Sequence, residues 1–280
     1  MKKFLGILLA AIMVLSITTA FAGSEIIVIS REEGSGTRGA FVELTGVEAK
    51  NDEGVKVDNT YIEAIIESGT AAVITTVQST PDAIGYISLG SLNDTVKAVK
   101  VEGVEATVED ILAGTYVLAR PFNIAVKGDM SPLVQDFINW IFSEEAQALV
   151  TEEGYISQGY SDYTSADVEG KITVGGSTSV YPLMQKFEEA YEALKGGKVD
   201  VEVQGGGSTV GMTGAIDGTF DIGMASRELK DSELAELTPY VIAMDGIAVV
   251  VNNENTVEDL TMEQIKDIFT GEITEWEDVQ

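Results

Sequence analysis

The stretch Arg31-Glu32-Glu33-Gly34-Ser35-Gly36-Thr37-Arg38 decides how this chain is read. An apolar, β-like run, Ile26-Ile27-Val28-Ile29, leads into it, and a helix-like stretch, Gly39-Ala40-Phe41-Val42-Glu43-Leu44, follows. A strand, a glycine-rich turn and a helix start aim several backbone N–H groups at one point, where the helix dipole favours an anion. Ser35 and Thr37 add hydroxyl donors there, and Arg31 adds a two-pronged cation suited to a tetrahedral oxyanion. Taken alone, the stretch reads equally well as an ordinary turn with solvated charges.

Two later junctions share this grammar. Lys171-Ile172-Thr173-Val174 runs into Gly175-Gly176-Ser177-Thr178-Ser179, then into a helix-like stretch whose Pro182 suits a first turn. Val199-Asp200-Val201-Glu202-Val203 alternates like a strand and precedes Gln204-Gly205-Gly206-Gly207-Ser208-Thr209. Three junctions of strand, glycine and hydroxyl residues, and helix predict helix N-termini and hydroxyls converging on a small anion.

Composition narrows the function classes. A chain of 280 residues suffices for two modest α/β lobes. Residues 1–22 carry Lys2 and Lys3, an apolar run and Ala20-Phe21-Ala22, which reads as a signal peptide. The alternative, an uncleaved anchor, needs a longer apolar run than this one. There is no cysteine, so neither a disulfide nor a lipid-anchor cysteine is available. The formal charge is −29, and removing Lys2 and Lys3 with the leader gives −29 − 2 = −31. Nucleic acid and anionic membrane surfaces are thereby disfavoured as partners. An anion in a closed cleft is not, because distant carboxylates are screened over about 8 Å at physiological salt.

The absences also count against catalysis. Without histidine or cysteine there is no Ser-His-Asp triad and no thiol nucleophile. No GxxxxGK[ST] segment occurs, and any metal site would be all-oxygen. A hydrolase built on carboxylates alone is the surviving enzymatic alternative. No cofactor is expected.

The segments GGSTSVYPL at 175–183, QGGGSTVGM at 204–212, DIGMASRELK at 221–230 and FTGEITEWEDV at 269–279, with the 31–37 loop, resemble the periplasmic-type phosphate-binding proteins of phosphate ABC transporters. The resemblance implies a two-lobe α/β periplasmic-binding-protein clamshell of type II, with inorganic phosphate in the cleft and an ABC permease as partner. It implies a monomer on the outer side of the membrane. The order differs from that family's usual one, in which the GGSTS-like segment comes first. Here Val279 would run naturally into Ser24-Glu25-Ile26, so the chain reads as a circular permutant whose linker, residues 159–170, joins the family's usual ends. The expected lobes are residues 24–121 plus 247–280, carrying the RxxGSGT loop, and residues 122–246, carrying GGSTS and QGGGS.

The resemblance carries over a phosphate-binding set: Arg31, Ser35, Gly36 and Thr37 from one lobe, and Ser177, Thr178, Ser179, Ser208 and Ser226 from the other. Some relatives place Asp after the last serine, where it accepts a proton from phosphate. This chain has Arg227 there, expected to pair with Glu228 or Asp231 or to approach the anion. Asp245, in Ala243-Met244-Asp245-Gly246, is the candidate replacement acceptor; its plain reading is a turn residue. Phe41, Trp140, Phe187 and Trp276 are expected in the core. Sulfate or a metal oxyanion is an alternative ligand, and a secreted non-catalytic scaffold is an alternative function.

Alternation of strand-like and helix-like runs predicts an open α/β sheet. Helices are expected over 60–68, 108–113, 131–142, 144–151 and 261–269. Residues 71–77 read as a short apolar run and 84–89 as a strand. Two long extended runs, 116–126 and 240–251, are expected to cross between lobes as hinges.

Overall fold

The computed structural model describes residues 24–279. The proposed leader lies outside the described residues, as do Ala22 and Gln280.

The core element is a mixed sheet of nine strands. Eight follow in the order Val199–Gly205, Gly170–Gly176, Ile222–Ala225, Ala119–Lys127, Leu237–Val251, Ala83–Ser88, Ile27–Arg31, Ile65–Glu67, and Lys97–Ala98 pairs beside Leu237–Val251. The three strands at each end run parallel to one another. The two central strands pair antiparallel with each other and with their outer neighbours. Strands covered by helices on both faces read as apolar runs rather than alternations, and Ala83–Ser88 is buried throughout.

The 15-residue strand Leu237–Val251 ties the sheet together. Its first part pairs with Ala119–Lys127 and its last part with Ala83–Ser88, with a register shift between Val241 and Ala243. Ile242 and Ala243 belong to one apolar cluster, built around Phe122, Phe137, Trp140, Phe187 and Tyr191. Ile247, Val249 and Val251 belong to another, built around Phe41, Tyr86 and Phe269. Trp276 packs half-buried against the latter.

Most expected helices are present: Val108–Leu112, Pro132–Ile141, Glu144–Glu152 and Met262–Thr270. The last is opened by a Thr261/Gln264 capping box and closed by left-handed Gly271. The expected helix over 60–68 is absent. Ile65–Glu67 instead adds a parallel edge strand to Ile29–Arg31. β-branched Ile65 and Ile66 suit a strand, and the open edge of Ile27–Arg31 offers backbone partners that outweigh local helix propensity. The apolar run at 71–77 is the helix Thr70–Ser79.

Both ends of the described chain lie together. Ile26 N donates to Thr274 O at 2.8 Å, and Trp276 N donates to Ser24 O at 3.0 Å. Residues 159–169 carry no helix or strand. They are pinned by side chains nonetheless. The Asp136 carboxylate accepts from Tyr163 Oη (3.0 Å), Tyr191 Oη (2.6 Å) and Ala166 N (3.0 Å). The Lys195 ammonium pairs with Asp136 and donates to Ser165 Oγ and Ala166 O.

Candidate anion-binding site

The strand Ile27–Arg31 delivers Arg31 to the turn, and Ser35 caps the helix Gly36–Thr45, its hydroxyl accepting from Arg38 N at 3.3 Å. Arg31 is only 1% exposed. Its Nε and Nη2 donate to the Glu32 carboxylate at 2.7 and 2.8 Å. Nη2 also donates to Thr178 Oγ1 at 3.0 Å, and Nη1 to Thr70 Oγ1 at 3.5 Å. One guanidinium thus ties its own loop to two segments distant in sequence.

Around it the hydroxyl residues converge. The hydroxyls of Thr37 and Ser179 are 2.8 Å apart, and those of Thr70 and Ser179 3.2 Å. Ser177 Oγ donates to Ser226 Oγ at 2.9 Å, and Ser226 N donates to Ser208 Oγ at 3.1 Å. Ser177 Oγ also accepts from Ser179 N and Val180 N, shaping the turn that opens the helix Tyr181–Leu194. Thr37, Thr70, Ser177, Ser179, Ser208 and Ser226 are all buried. Ser208 begins the helix Ser208–Asp217, and Thr70 begins Thr70–Ser79. Four helix starts therefore face one cluster of hydroxyls, the combination that suits a small anion.

Gly36 marks where the first loop meets the other half. A Cβ there would collide with Ser208 Oγ and come within 2.7 Å of Ser226 Oγ. A backbone bond closes the same seam, with Thr209 N donating to Gly34 O at 3.1 Å.

The structure brings together Arg31, Gly36, Thr37, Ser177, Thr178, Ser179, Ser208 and Ser226. Ser35 stands beside them as the helix cap. Arg227 and Asp245 are bound elsewhere. Arg227 turns to Glu233, with Nη1 and Nη2 each 2.8 Å from a carboxylate oxygen; its partner is neither Glu228's carboxylate nor Asp231. Burial pushes the Glu233 carboxyl up, but its bonds to Arg227 and Lys230 N outweigh this and hold it below the usual range.

Asp245 lies opposite Arg120 in the central strand pair. Its Oδ2 accepts from Arg120 Nη2 at 3.0 Å and Nε at 3.3 Å, while Oδ1 accepts from Ser88 Oγ at 3.0 Å. Burial pushes its carboxyl up despite the guanidinium. The expectation that Asp245 faces the anion is therefore corrected: the cross-strand register gives it a buried cation instead.

Two further contributors carry no local sequence signal. Thr70 follows strand Ile65–Glu67 and Ser68-Gly69, a fourth junction of the same grammar, hidden by the helix expected there. Glu32 reads as a solvated turn charge, yet it clamps Arg31 and accepts from Gly69 N at 3.2 Å.

The PBP superfamily domain matches residues 9–145 and 161–280. Phosphate-binding protein PstS 2 of Streptococcus agalactiae serotype V is 51% identical over 255 residues, covering 90% of this chain and 87% of that protein. The crystal structure of a phosphate ABC transporter phosphate-binding protein from Streptococcus pneumoniae TIGR4 superimposes with a TM-score of 0.73 at 45% identity, covering 92% of this chain and 100% of that one. Phosphate-binding protein PstS of Bacillus subtilis aligns over 134 residues only, at 31% identity, covering 47% of this chain and 41% of that protein. This chain, with its mixed α/β architecture, belongs to the phosphate-binding protein family of the PBP superfamily.

Proposed function

We propose that this protein is a non-catalytic receptor that captures inorganic phosphate in an interlobe cleft and delivers it to an ABC permease. The observation that carries this reading is the buried Arg31 guanidinium set among convergent hydroxyls and helix N-termini. Arg31, Gly36, Thr37, Thr70, Ser177, Thr178, Ser179 and Ser208 are its proposed binding residues. Ser35 and Ser226 hold the loops that present them.

The lobes are residues 24–121 with 247–280, and 122–246. The central strands Ala119–Lys127 and Leu237–Val251 act as the hinge between them. A leader at residues 1–22 would export the protein to the outer side of the membrane, where it acts as a monomer.

The chain order is a circular permutation, shared by the streptococcal relatives that align over nearly the whole chain. The half-length alignment with the Bacillus relative supports this, as does the closeness of residues 24–26 to residues 274–276. Titration calorimetry with phosphate tests the function. One phosphate per chain is expected, with no hydrolysis of phosphate esters. Absence of binding heat, or turnover of an ester, would refute it.

A further inference from the structure

The seam at the anion site is not the only place where the two proposed lobes touch. Beside the central strands, Tyr155 reaches from one lobe to the other. It follows the helix Glu144–Glu152, and its N–H donates to Val150 O at 3.0 Å. Its neighbour Ile156 is strapped to the strand Leu237–Val251. Ile156 N donates to Met244 O and Met244 N to Ile156 O, both at 2.9 Å. This strap comes directly after the register shift between Val241 and Ala243. Tyr155 is 1% exposed, and its ring centroid lies 5.2 Å from that of Phe122. Backbone and ring are thus both held on the side of residues 122–246.

Opposite the ring stands Gly90, in the 3-10 turn Leu89–Ser91 that follows strand Ala83–Ser88. A Cβ on Gly90 would collide with Cε1 and Cζ of Tyr155 and come within 2.8 Å of its Oη. Gly90 is not among the glycines with a positive φ, so its backbone conformation does not call for glycine. The clearance to the ring does. A densely packed ring cannot step aside without displacing its own neighbours. Gly90 is also tied to the hinge, its N–H donating to Asp245 Oδ1 at 3.5 Å. Neither Gly90 nor Tyr155 belongs to the proposed anion-binding set.

Resting on the phosphate reading above, we propose that Tyr155 and Gly90 are a positioning pair that sets how far the lobes close. With no side chain at position 90, the lobes approach until the ring meets bare backbone. That is the closure at which Thr209 N reaches Gly34 O across the seam. Bulk added on either side of the contact holds the lobes apart. The binding-competent form is then less populated, and apparent affinity falls by that fraction.

Phosphate calorimetry, small-angle scattering and thermal melts test this on the full chain. The variants are Gly90→Ala, Tyr155→Trp, Tyr155→Phe and the double variant Gly90→Ala/Tyr155→Leu. Gly90→Ala and Tyr155→Trp should each bind phosphate about tenfold more weakly or worse. In saturating phosphate both should scatter as more open particles than wild type. Tyr155→Phe keeps the ring and should bind within about twofold of wild type. The double variant makes room for the methyl and should recover most of the lost affinity. If Gly90→Ala does not fold, Tyr155→Trp carries the comparison. If the contact is core packing alone, the variants melt earlier with affinity and scattering unchanged, which would overturn the proposal. A double variant no better than Gly90→Ala would overturn it too. A wild type that takes no phosphate would instead remove the phosphate reading, and this inference with it.

Discussion

The chemistry of the cleft concentrates on one side chain. Arg31 bridges Glu32, Thr70 and Thr178 from a fully buried position. Truncating one partner of a buried charge pair costs about 2–5 kcal/mol, so Arg31→Ala should weaken phosphate by about 30-fold to several thousandfold while leaving the fold intact. Calorimetry paired with a thermal melt separates the two effects. Gly36→Ala should also weaken binding, for a different reason. Its methyl would strike Ser208 Oγ at the seam, so the variant should fold normally but bind phosphate at least tenfold more weakly. Unaltered affinity would show that the seam does not close on the ligand. At this scale the sequence was legible where a local grammar exists, as at Arg31, Thr37, Ser177 and Ser208. It failed at Asp245, because the register that sets Arg120 opposite it is a long-range property. It also failed at Glu32, because a turn carboxylate looks alike whether it faces solvent or a neighbouring guanidinium.

Among the elements, the central strand pair carries the most consequential buried charge. Arg120 and Asp245 are both almost wholly enclosed, and a buried pair broken on one side costs about 3–5 kcal/mol. Asp245→Asn should therefore lower the thermal midpoint markedly, with a smaller effect on affinity than Arg31→Ala. The reverse ranking would mean that Asp245 faces the anion. Acid should also loosen these elements. The carboxyls of Glu32, Asp136 and Glu233 are held low in the folded state; in each, burial pushes up but is outweighed by the bonds of Arg31, Lys195 and Arg227 respectively. A depressed carboxyl contributes stability that is fully present above its unfolded pKa, near 4, and is lost as pH falls through the folded value. Melting at stepped pH should show the midpoint dropping below about pH 4.5, and Asp136→Asn should flatten part of that drop. Strands and helices with clear caps were legible, such as Met262–Thr270. The edge strand Ile65–Glu67 was not, because its stability comes from the neighbour Ile27–Arg31 rather than from its own pattern.

The whole molecule makes its own demand. If the order is a permutation, joining residue 279 to residue 24 and opening the chain within 159–162 should give a protein that folds and binds phosphate with unchanged affinity. The contacts of Tyr163, Ser165 and Ala166 with Asp136 and Lys195 would survive that cut. Failure of the rejoined chain to fold would count against the permutation. The central claim, that Arg31 and the hydroxyl loops hold the anion, meets its most direct test in a crystal structure of the phosphate complex. The account predicts one phosphate within hydrogen-bond distance of the Arg31 guanidinium and of the Thr37, Ser179 and Ser208 hydroxyls. A phosphate seated against Arg120 and Asp245, or outside the seam altogether, would contradict it.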